Sequence, residues 1–563
     1  MHCTDNGHLP AAWPAAWRRP APRLLADPPR LCHSFSQFWR QATRGVDRLP
    51  DLPGRPVAPF SPGCLTLEHR RHAAAATQPG APLAIGDDPT PRLDRDPAMP
   101  PVFTRRQGLA WLGATGLPAW AADLVPPPAA AASTPPRLAA PRIVLPPLAL
   151  RQRRLANGLQ VVSLAQRSGA TVSVQVWYRV GGKDDPVGKS GFAHLFEHMM
   201  FKRTRNMASE MFDRLTEDVG GQNNAFTAED MTAYQSEVPS NHLERLLWAE
   251  AERLANLQVD QASFESERKV VIEELRQRVL ADPYGRLFNA LPQQAFERHP
   301  YQRPVIGSEI DLNAATLDDV RHFHSTYYRP DNALLIVVGD FEPAQLDGWV
   351  DRYFGPLITP TQAIPRVTTT EPPRALDARV EIKAPNVPLP AVALVWKGPS
   401  AAHPDAPALE LASALLASGD SSRLNEALVY NSQAAQAAGF ATELFADAGL
   451  LAAYAIAASG QRLRKLEDAL LAQINLLVRG KVAFAEMDKV RTQLLTGALL
   501  QRQTPQGLAD AIGRAVLLHG DARDADLRIN RLQAVRVADV QRVLEHYVLR
   551  ARRVTIDYVQ GNA

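Results

Sequence analysis

Two histidines four positions apart enclose a glutamate where residues 194–198 read HLFEH. On a helix, side chains at this spacing lie on one face, so His194 and His198 can bind the same metal ion. Glu197 leans over that face, where a carboxylate can take a proton from an attacking water molecule. This inverted order, H-x-x-E-H, is typical of one group of zinc hydrolases.

The same five residues also fit a helix whose histidines are solvated or hydrogen-bonded in place by chance. The flanking sequence favours a metal, because most of the predicted helix is apolar and polar side chains within it are costly unless something satisfies them. We expect Ser190 to cap the start of this helix. The apolar positions are Phe192, Leu195, Phe196, Met199 and Met200.

The chain has 563 residues and a formal net charge of +3, with no block of lysine and arginine. This balance gives no sign of a nucleic-acid-binding surface. No apolar run is long enough to cross a membrane, so we expect no membrane span in the mature chain.

Residues 1–98 contain all three cysteines, many prolines and arginines, and no lysine. One interpretation is a disordered arm. The other is that the natural start lies near Met99 and that the upstream codons do not belong to the protein. This second interpretation rests on the segment that follows.

Residues 99–122 resemble a twin-arginine export signal. The pair Arg105 and Arg106 precedes a modestly apolar run, which closes on the small-residue pattern AWA at 119–121. We therefore predict a bacterial protein exported to the periplasm, with a mature chain that begins near Ala122 and has no cysteine. Such a chain has neither a thiolate metal site nor a cysteine nucleophile.

The rest of the chain predicts an α+β protein with two homologous α/β-sandwich domains. Residues 123–148 form a linker rich in proline and alanine, and residues 149–356 form the domain with the metal motif. A second linker, 357–378, leads to a metal-free domain at 379–563 that repeats the order of strands and helices. In the first domain we expect strands at 160–164, 171–180, 222–227 and 333–340, and helices at 207–218, 241–256 and 261–279.

A catalytic zinc with two histidines needs a third protein ligand. In the predicted helix 261–279, Glu267 and Glu274 are two turns apart and share one face, whereas Glu273 points toward solvent. This geometry favours Glu274 as the ligand and Glu267 as a nearby carboxylate. Acidic residues at this spacing are also common on solvated helices.

Four segments together resemble the pitrilysin/insulinase family of inverted zinc peptidases, which includes the mitochondrial processing peptidase. They are the metal motif at 191–201, the helix with Glu267 and Glu274, the sequence NAFT at 224–227, and YRPDN at 328–332 before the strand that ends at Gly339. The likeness covers about residues 150–560.

The resemblance implies a half-shell of two homologous domains, which pairs with a second half-shell around a peptide substrate. It implies one zinc ion per chain, bound by His194, His198 and Glu274, with Glu197 as general base and Glu267 as a second carboxylate in the catalytic site. It also implies that Asn224, Ala225 and Phe226 line a substrate that binds as an extended strand.

One departure concerns the second domain. Many relatives carry an arginine and a tyrosine, seven residues apart, after a segment like SSRL at 421–424, and this pair steadies the substrate. Here the two positions are Val429 and Gln436. We expect an identical or different partner subunit with the missing arginine and tyrosine to complete the site.

Three functions remain in competition: an exported zinc endopeptidase, a non-catalytic assembly subunit of the same fold, and a metal-binding or storage protein. The intact set of His194, Glu197, His198 and Glu274 favours the peptidase, because a storage protein needs no base at Glu197.

Overall fold

The computed structural model describes residues 142–561. The predictions for residues 1–98, for the export signal at 99–122 and for the part of the first linker before residue 142 lie outside this range. The described chain contains two β-sheets with helices packed on both faces of each.

The first sheet has six strands in the order β1-β2-β6-β3-β5-β4, and β4 lies at its edge. Strands β2 and β6 are parallel, and the other neighbours are antiparallel. The strands are β1 (Arg151–Arg154), β2 (Gln160–Ala165), β3 (Thr171–Tyr178), β4 (Gln222–Thr227), β5 (Thr232–Pro239) and β6 (Ala333–Gly339).

The second sheet has five strands in the order β7-β11-β8-β10-β9. Here β7 and β11 are parallel, and the other neighbours are antiparallel. The strands are β7 (Ala378–Ala384), β8 (Ala391–Gly398), β9 (Ala435–Leu444), β10 (Gly449–Ala457) and β11 (Val554–Gln560).

The two sheets repeat one topology. Read in chain order, β2 to β6 correspond to β7 to β11, and the spatial order and strand directions then agree at every step. The predicted α+β class is confirmed. The repeated topology agrees with the duplication inferred from the sequence.

Fourteen α-helices are found in residues 142–561 and are numbered in chain order. Those before the second sheet are α1 (Phe192–Met199), α2 (Met211–Glu217), α3 (Leu243–Asn256), α4 (Gln261–Leu275), α5 (Gly285–Ala295), α6 (Glu309–Asn313), α7 (Leu317–Tyr327) and α8 (Pro343–Tyr353). The later ones are α9 (Ala406–Ala417), α10 (Leu463–Arg479), α11 (Phe484–Gln501), α12 (Pro505–Arg514), α13 (Asp524–Ala534) and α14 (Val537–Leu544).

Each sheet receives a helix from the other half of the chain. One face of the first sheet packs on helices that include α1, α3, α4 and α7. Its opposite face is covered by α12, which follows the second sheet's β10 in sequence. In return, α5 from the first half covers one face of the second sheet. This exchange buries apolar side chains of both halves in shared cores. Each sheet is therefore covered partly by a helix that is distant from it in sequence.

Some elements differ from the sequence-based expectation. The helix expected at 207–218 begins only at Met211, and the one expected at 261–279 continues after Leu275 as a π-helical turn. The segment 357–378 is largely without regular structure, but it is held to the first half, where Arg329 donates to the carbonyl of Gln362 over 2.7 Å. The proposed domain boundaries therefore remain a prediction.

Within the described range, none of the helices combines the length and the apolar character that a membrane span requires.

Candidate metal centre

Helices α1 and α4 lie against each other and bring three donor side chains together. The Oε2 atom of Glu274 is 3.7 Å from Nε2 of His194 and 3.5 Å from Nε2 of His198. All three side chains are buried, and their ligand atoms lie within 4.8 Å of one another. Glu273, the neighbouring candidate, is exposed and accepts a hydrogen bond from Gln277 instead.

A buried carboxylate holds the start of α1. The two oxygens of Asp185 accept hydrogen bonds from the backbone N–H groups of Gly191 and Ala193, at 2.7 and 2.8 Å. These N–H groups have no partner within the helix, and a negative charge beside them also interacts favourably with the helix dipole. The expectation that Ser190 caps the helix is wrong: Gly191 occupies the N-cap, and the Ser190 hydroxyl donates to Asp311.

The donor set fits a zinc ion. Zinc in proteins takes histidine nitrogens and carboxylate oxygens at about 2.0–2.2 Å in a tetrahedron, which places ligand atoms about 3.3–3.6 Å apart. The two distances from Glu274 to the imidazoles are close to that value. Three protein ligands leave the fourth position of a tetrahedron open, as catalytic zinc sites require.

The two imidazoles differ in their affinity for a proton. Burial lowers the pKa of His194 to about 3, and the nearby Glu274 only partly opposes this effect. Burial also disfavours charge on His198, but hydrogen bonds to Glu267 and Glu274 outweigh it and raise the pKa of His198 to about 9. A metal ion that binds here must therefore displace a proton held between two carboxylates.

Each carboxylate of α4 has a cationic neighbour of its own. The Nζ atom of Lys202 is 2.8 Å from Oε1 of Glu267, and Nη1 of Arg278 is 2.5 Å from Oε1 of Glu274. Burial alone would raise the pKa of both carboxyls, but the surrounding imidazoles and these cations lower it below the usual value. Both groups are thus carboxylates at neutral pH, and Glu267 lies 3.7 Å from Nδ1 of His198.

Glu197 is fully buried beside the metal-binding residues and is held by the edge strand. The hydroxyl of Thr227, at the end of β4, donates a hydrogen bond of 2.6 Å to Oε2 of Glu197. This hydrogen bond orients the carboxylate of Glu197 and leaves its other oxygen, Oε1, able to accept a proton. Sequence reasoning did not single out Thr227, Arg278, Lys202 or Asp185.

The three residues expected to line the substrate all lie on β4, but on different faces. Ala225 is buried on the side of α1, whereas the side chain of Phe226 packs edge-on against Trp177 on the opposite face, with ring centres 5.3 Å apart. Asn224 is exposed. Because β4 pairs only with β5 among the described strands, its outer backbone edge is available to another strand.

The positions of the expected arginine and tyrosine lie in the second half. Val429 belongs to the π-helical segment Asn425–Asn431, and Gln436 is an exposed residue of β9. Arg423, a few residues earlier, is bound to Glu486 through two contacts of 2.7 and 2.9 Å. It is therefore committed to a structural ion pair.

Two family models match adjoining parts of the chain. Residues 160–309 match the model described as insulinase (peptidase family M16), and residues 314–494 match the model described as peptidase M16 inactive domain. The first match contains all the residues of the candidate metal centre. The second lies over the part of the chain in which the sequence contains no metal motif.

Individual proteins agree with these models. The chain is 30% identical to zinc protease PqqE of Helicobacter pylori, over 71% of this chain and 91% of that protein. It is 26% identical to a probable mitochondrial-processing peptidase subunit beta of Arabidopsis thaliana, over 73% of this chain and 79% of that one. A crystal structure of a protease from Helicobacter pylori superposes with a TM-score of 0.70 and 30% identity, covering 73% of this chain and 99% of that chain.

Proposed function

Since this chain belongs to the insulinase family of peptidases, family M16, we propose that it is a catalytically active zinc endopeptidase. The single observation that carries the proposal is the convergence of His194, His198 and Glu274 from two helices, with Glu197 buried beside them. A non-catalytic subunit has no need to keep all four groups together.

In this proposal His194, His198 and Glu274 hold the zinc ion, which supplies Lewis-acid activation of water and of the scissile carbonyl at neutral pH. Glu197 accepts the proton of the attacking water and later delivers it to the leaving amine. Thr227 keeps the carboxylate of Glu197 directed during both transfers.

Peptides or unfolded segments are the proposed substrates. A peptide would add to the outer edge of β4, where backbone groups at Asn224, Ala225 and Phe226 can form main-chain hydrogen bonds. Recognition through backbone groups needs an extended segment and makes little demand on sequence. A folded protein offers few such segments.

We also propose that a second half-shell subunit completes the site, because Val429 and Gln436 stand where an arginine and a tyrosine are expected. Light scattering on the purified chain, alone and with candidate partners, would test this. Full peptidase activity from the isolated monomer would contradict it.

The periplasmic location is proposed from the predicted export signal at 99–122, and N-terminal sequencing of the mature protein would test it.

The decisive test of activity is Glu197→Gln. We expect this variant to retain one zinc per chain by elemental analysis and to lose peptide hydrolysis by about 10²–10⁴-fold, since it lacks the proton acceptor. The matched control is Glu273→Gln, which alters an exposed glutamate on the ligand helix and should keep both zinc and activity.

The other candidate functions give different results in the same experiment. An assembly subunit or a metal-storage protein would show no hydrolysis in the wild type, and its partner or zinc binding would be indifferent to Glu197→Gln. Zinc-loaded wild type that leaves unfolded peptides uncut in the presence of its partner would therefore overturn the peptidase proposal.

A further inference from the structure

Helix α12 carries a row of polar side chains that follows the edge strand β4 from its start toward its end. Gln506 accepts a hydrogen bond of 3.2 Å from Gln222, the first residue of β4. Two turns later, the guanidinium of Arg514 lies 5.3 Å from the centre of the Phe226 ring. Asp510 lies between them on the helix. The row is therefore on the face of the sheet opposite the metal helix.

The spacing of this row matches that of a peptide strand. Residues four apart on a helix are separated by about 6 Å along its axis. Side chains on one face of a strand repeat every two residues, or about 6.6–6.8 Å. A peptide added to the outer edge of β4 would therefore run in step with α12 and place alternate side chains on the α12 side of the sheet.

Arg514 extends toward the open edge of the sheet. The body of α12 packs on β3 and β6, and Trp177 of β3 fills the space on the inner side of Phe226. Gly513 allows this close approach, because a Cβ atom there would come within 2.4 Å of the Trp177 ring. A side chain that leaves α12 beside Trp177 and reaches Phe226 is thus directed to the side where a peptide would add.

The guanidinium of Arg514 is exposed, and it forms no ion pair or hydrogen bond with residues 142–561. Even so, removal of surrounding water lowers its pKa. Arg514 is thus a partly desolvated cation without an ion-pair partner among the described residues. Such a cation gains more from an anionic partner than one on an open surface does.

The charged groups around Arg514 are engaged by other side chains. Asp510 is the nearest carboxylate to influence Arg514, and its oxygen accepts from the side chain of Gln235. Arg528 adds a second positive charge, although it is paired with Glu410 at 2.6 Å.

We infer that Arg514 selects an acidic side chain in the peptide, close to the bond that is cut. We place this side chain close to the cut bond because Arg514 lies against Phe226, and the next residue of the strand, Thr227, binds the general base Glu197. The inference rests on the proposed peptidase function and gives that function a substrate class: extended peptides with aspartate or glutamate on the α12 side of the added strand.

The test is a digest of a mixed peptide library by the zinc-loaded full chain, with any partner that co-purifies, and cleavage sites read by mass spectrometry. Wild type should favour Asp and Glu over Lys and Arg by about tenfold at one position near the cut bond, since 1.4 kcal/mol of charge pairing corresponds to that factor. Arg514→Glu should reverse the preference, and Arg514→Lys should retain it. Arg550→Gln, at an exposed arginine paired with Glu545, is the control and should leave the ratio unchanged.

The cleavage profiles distinguish failure of this inference from failure of the peptidase proposal. If wild type and Arg514→Glu cut the library with the same charge profile, the inference fails while the peptidase proposal stands. If wild type cuts nothing, the peptidase proposal fails and this inference fails with it. Circular dichroism and a melting curve verify that Arg514→Glu is folded, and Arg514→Lys gives a second comparison that keeps the charge.

Discussion

The hydroxyl of Thr227 donates a 2.6 Å hydrogen bond to Oε2 of Glu197, which joins the edge strand β4 to the metal helix α1. Both groups are buried, with Thr227 6% and Glu197 0% exposed. The strand expected to bind the peptide and the carboxylate expected to move the proton are therefore directly linked. Movement of β4 would displace the general base.

We expect Thr227→Val to lower kcat by about 10–100-fold, because a hydrogen bond to a charged group is worth about 1.5–3 kcal/mol. Zinc affinity should stay the same, since Thr227 contacts none of the three metal-binding residues. Steady-state kinetics and zinc titration measure the two quantities. Thr227→Ser keeps the hydroxyl and should retain most of the rate; a Thr227→Val variant as fast as wild type would show that the hydrogen bond does not matter.

Arg278 is expected to tune the metal site through Glu274. Its contact with Oε1 leaves Oε2 as the oxygen that faces the imidazoles of His194 and His198. Removing a group that orients a metal ligand typically weakens binding by 10–100-fold, so we expect Arg278→Gln to raise the zinc Kd by about tenfold or more.

Competition with a chelator of known affinity measures this Kd without any reference to catalysis. Arg276→Gln is the matched control, because Arg276 is exposed and paired with Glu309 at 2.6 Å, away from the metal-binding residues. An Arg278→Gln variant that binds zinc as tightly as wild type would mean that α4 alone orients Glu274.

The sequence was most informative where a short period decides the structure. The seven-residue spacing of Glu267 and Glu274 placed both on one helix face, alternation of apolar residues located β3, and a continuous apolar run located β6. The same logic could have found Arg278, which is four residues after Glu274, and Thr227, which shares a strand face with Ala225. The signals were present, but nothing local shows that a lysine or arginine on a helix is bound to a carboxylate.

Long-range relationships could not be read from the sequence. Strand β9 was missed, because its ten residues include four alanines and a glycine and lack the alternation of a half-buried strand. The packing of α12 on the first sheet joins residues more than three hundred positions apart, such as Trp177 and Gly513. Phe226 was expected to face a substrate or the core; which face it takes depends on that distant helix.

Stability should depend on pH through Glu229 in the turn between β4 and β5. Burial, together with the charge of Glu443, raises the pKa of Glu229 from its ordinary value of 4.5 to about 8. The folded state then binds a proton that the unfolded state has lost between about pH 4.5 and 8. Stability from this group is therefore lost as the pH rises through that window.

Glu229→Gln removes the titration. Its melting temperature should equal that of wild type near pH 4 and exceed it by a few degrees near pH 9, on the order of 2–4 °C per kcal/mol. Glu381→Gln, at an exposed glutamate beside Lys383, should show no such trend. A difference that is constant with pH would mean that Glu229 is charged in the folded protein throughout.

A substitution at Gly513 tests how tightly α12, from the second half of the chain, packs on the first sheet. Alanine is the better helix former by about 0.5–1 kcal/mol, so an exposed helical glycine gains stability on substitution. At Gly513, however, the new Cβ atom would come within 2.4 Å of the Trp177 ring, which is fully buried and whose Nε1 atom donates to Gln175 over 2.8 Å. Overpacking of this kind costs about 1–3 kcal/mol, which exceeds the gain in helix propensity.

Gly513→Ala should therefore destabilise the protein by up to about 2.5 kcal/mol, the difference between those two effects. Gly497→Ala is the matched control on α11, where a Cβ atom meets nothing within 4 Å, and it should stabilise by about 0.5–1 kcal/mol. Denaturant unfolding of both variants gives the two signs. Opposite signs mean that α12 is seated on the first sheet through Trp177; two stabilised variants would mean that this helix can move away from the sheet at little cost, and the row that ends at Arg514 would then lose its fixed position beside β4.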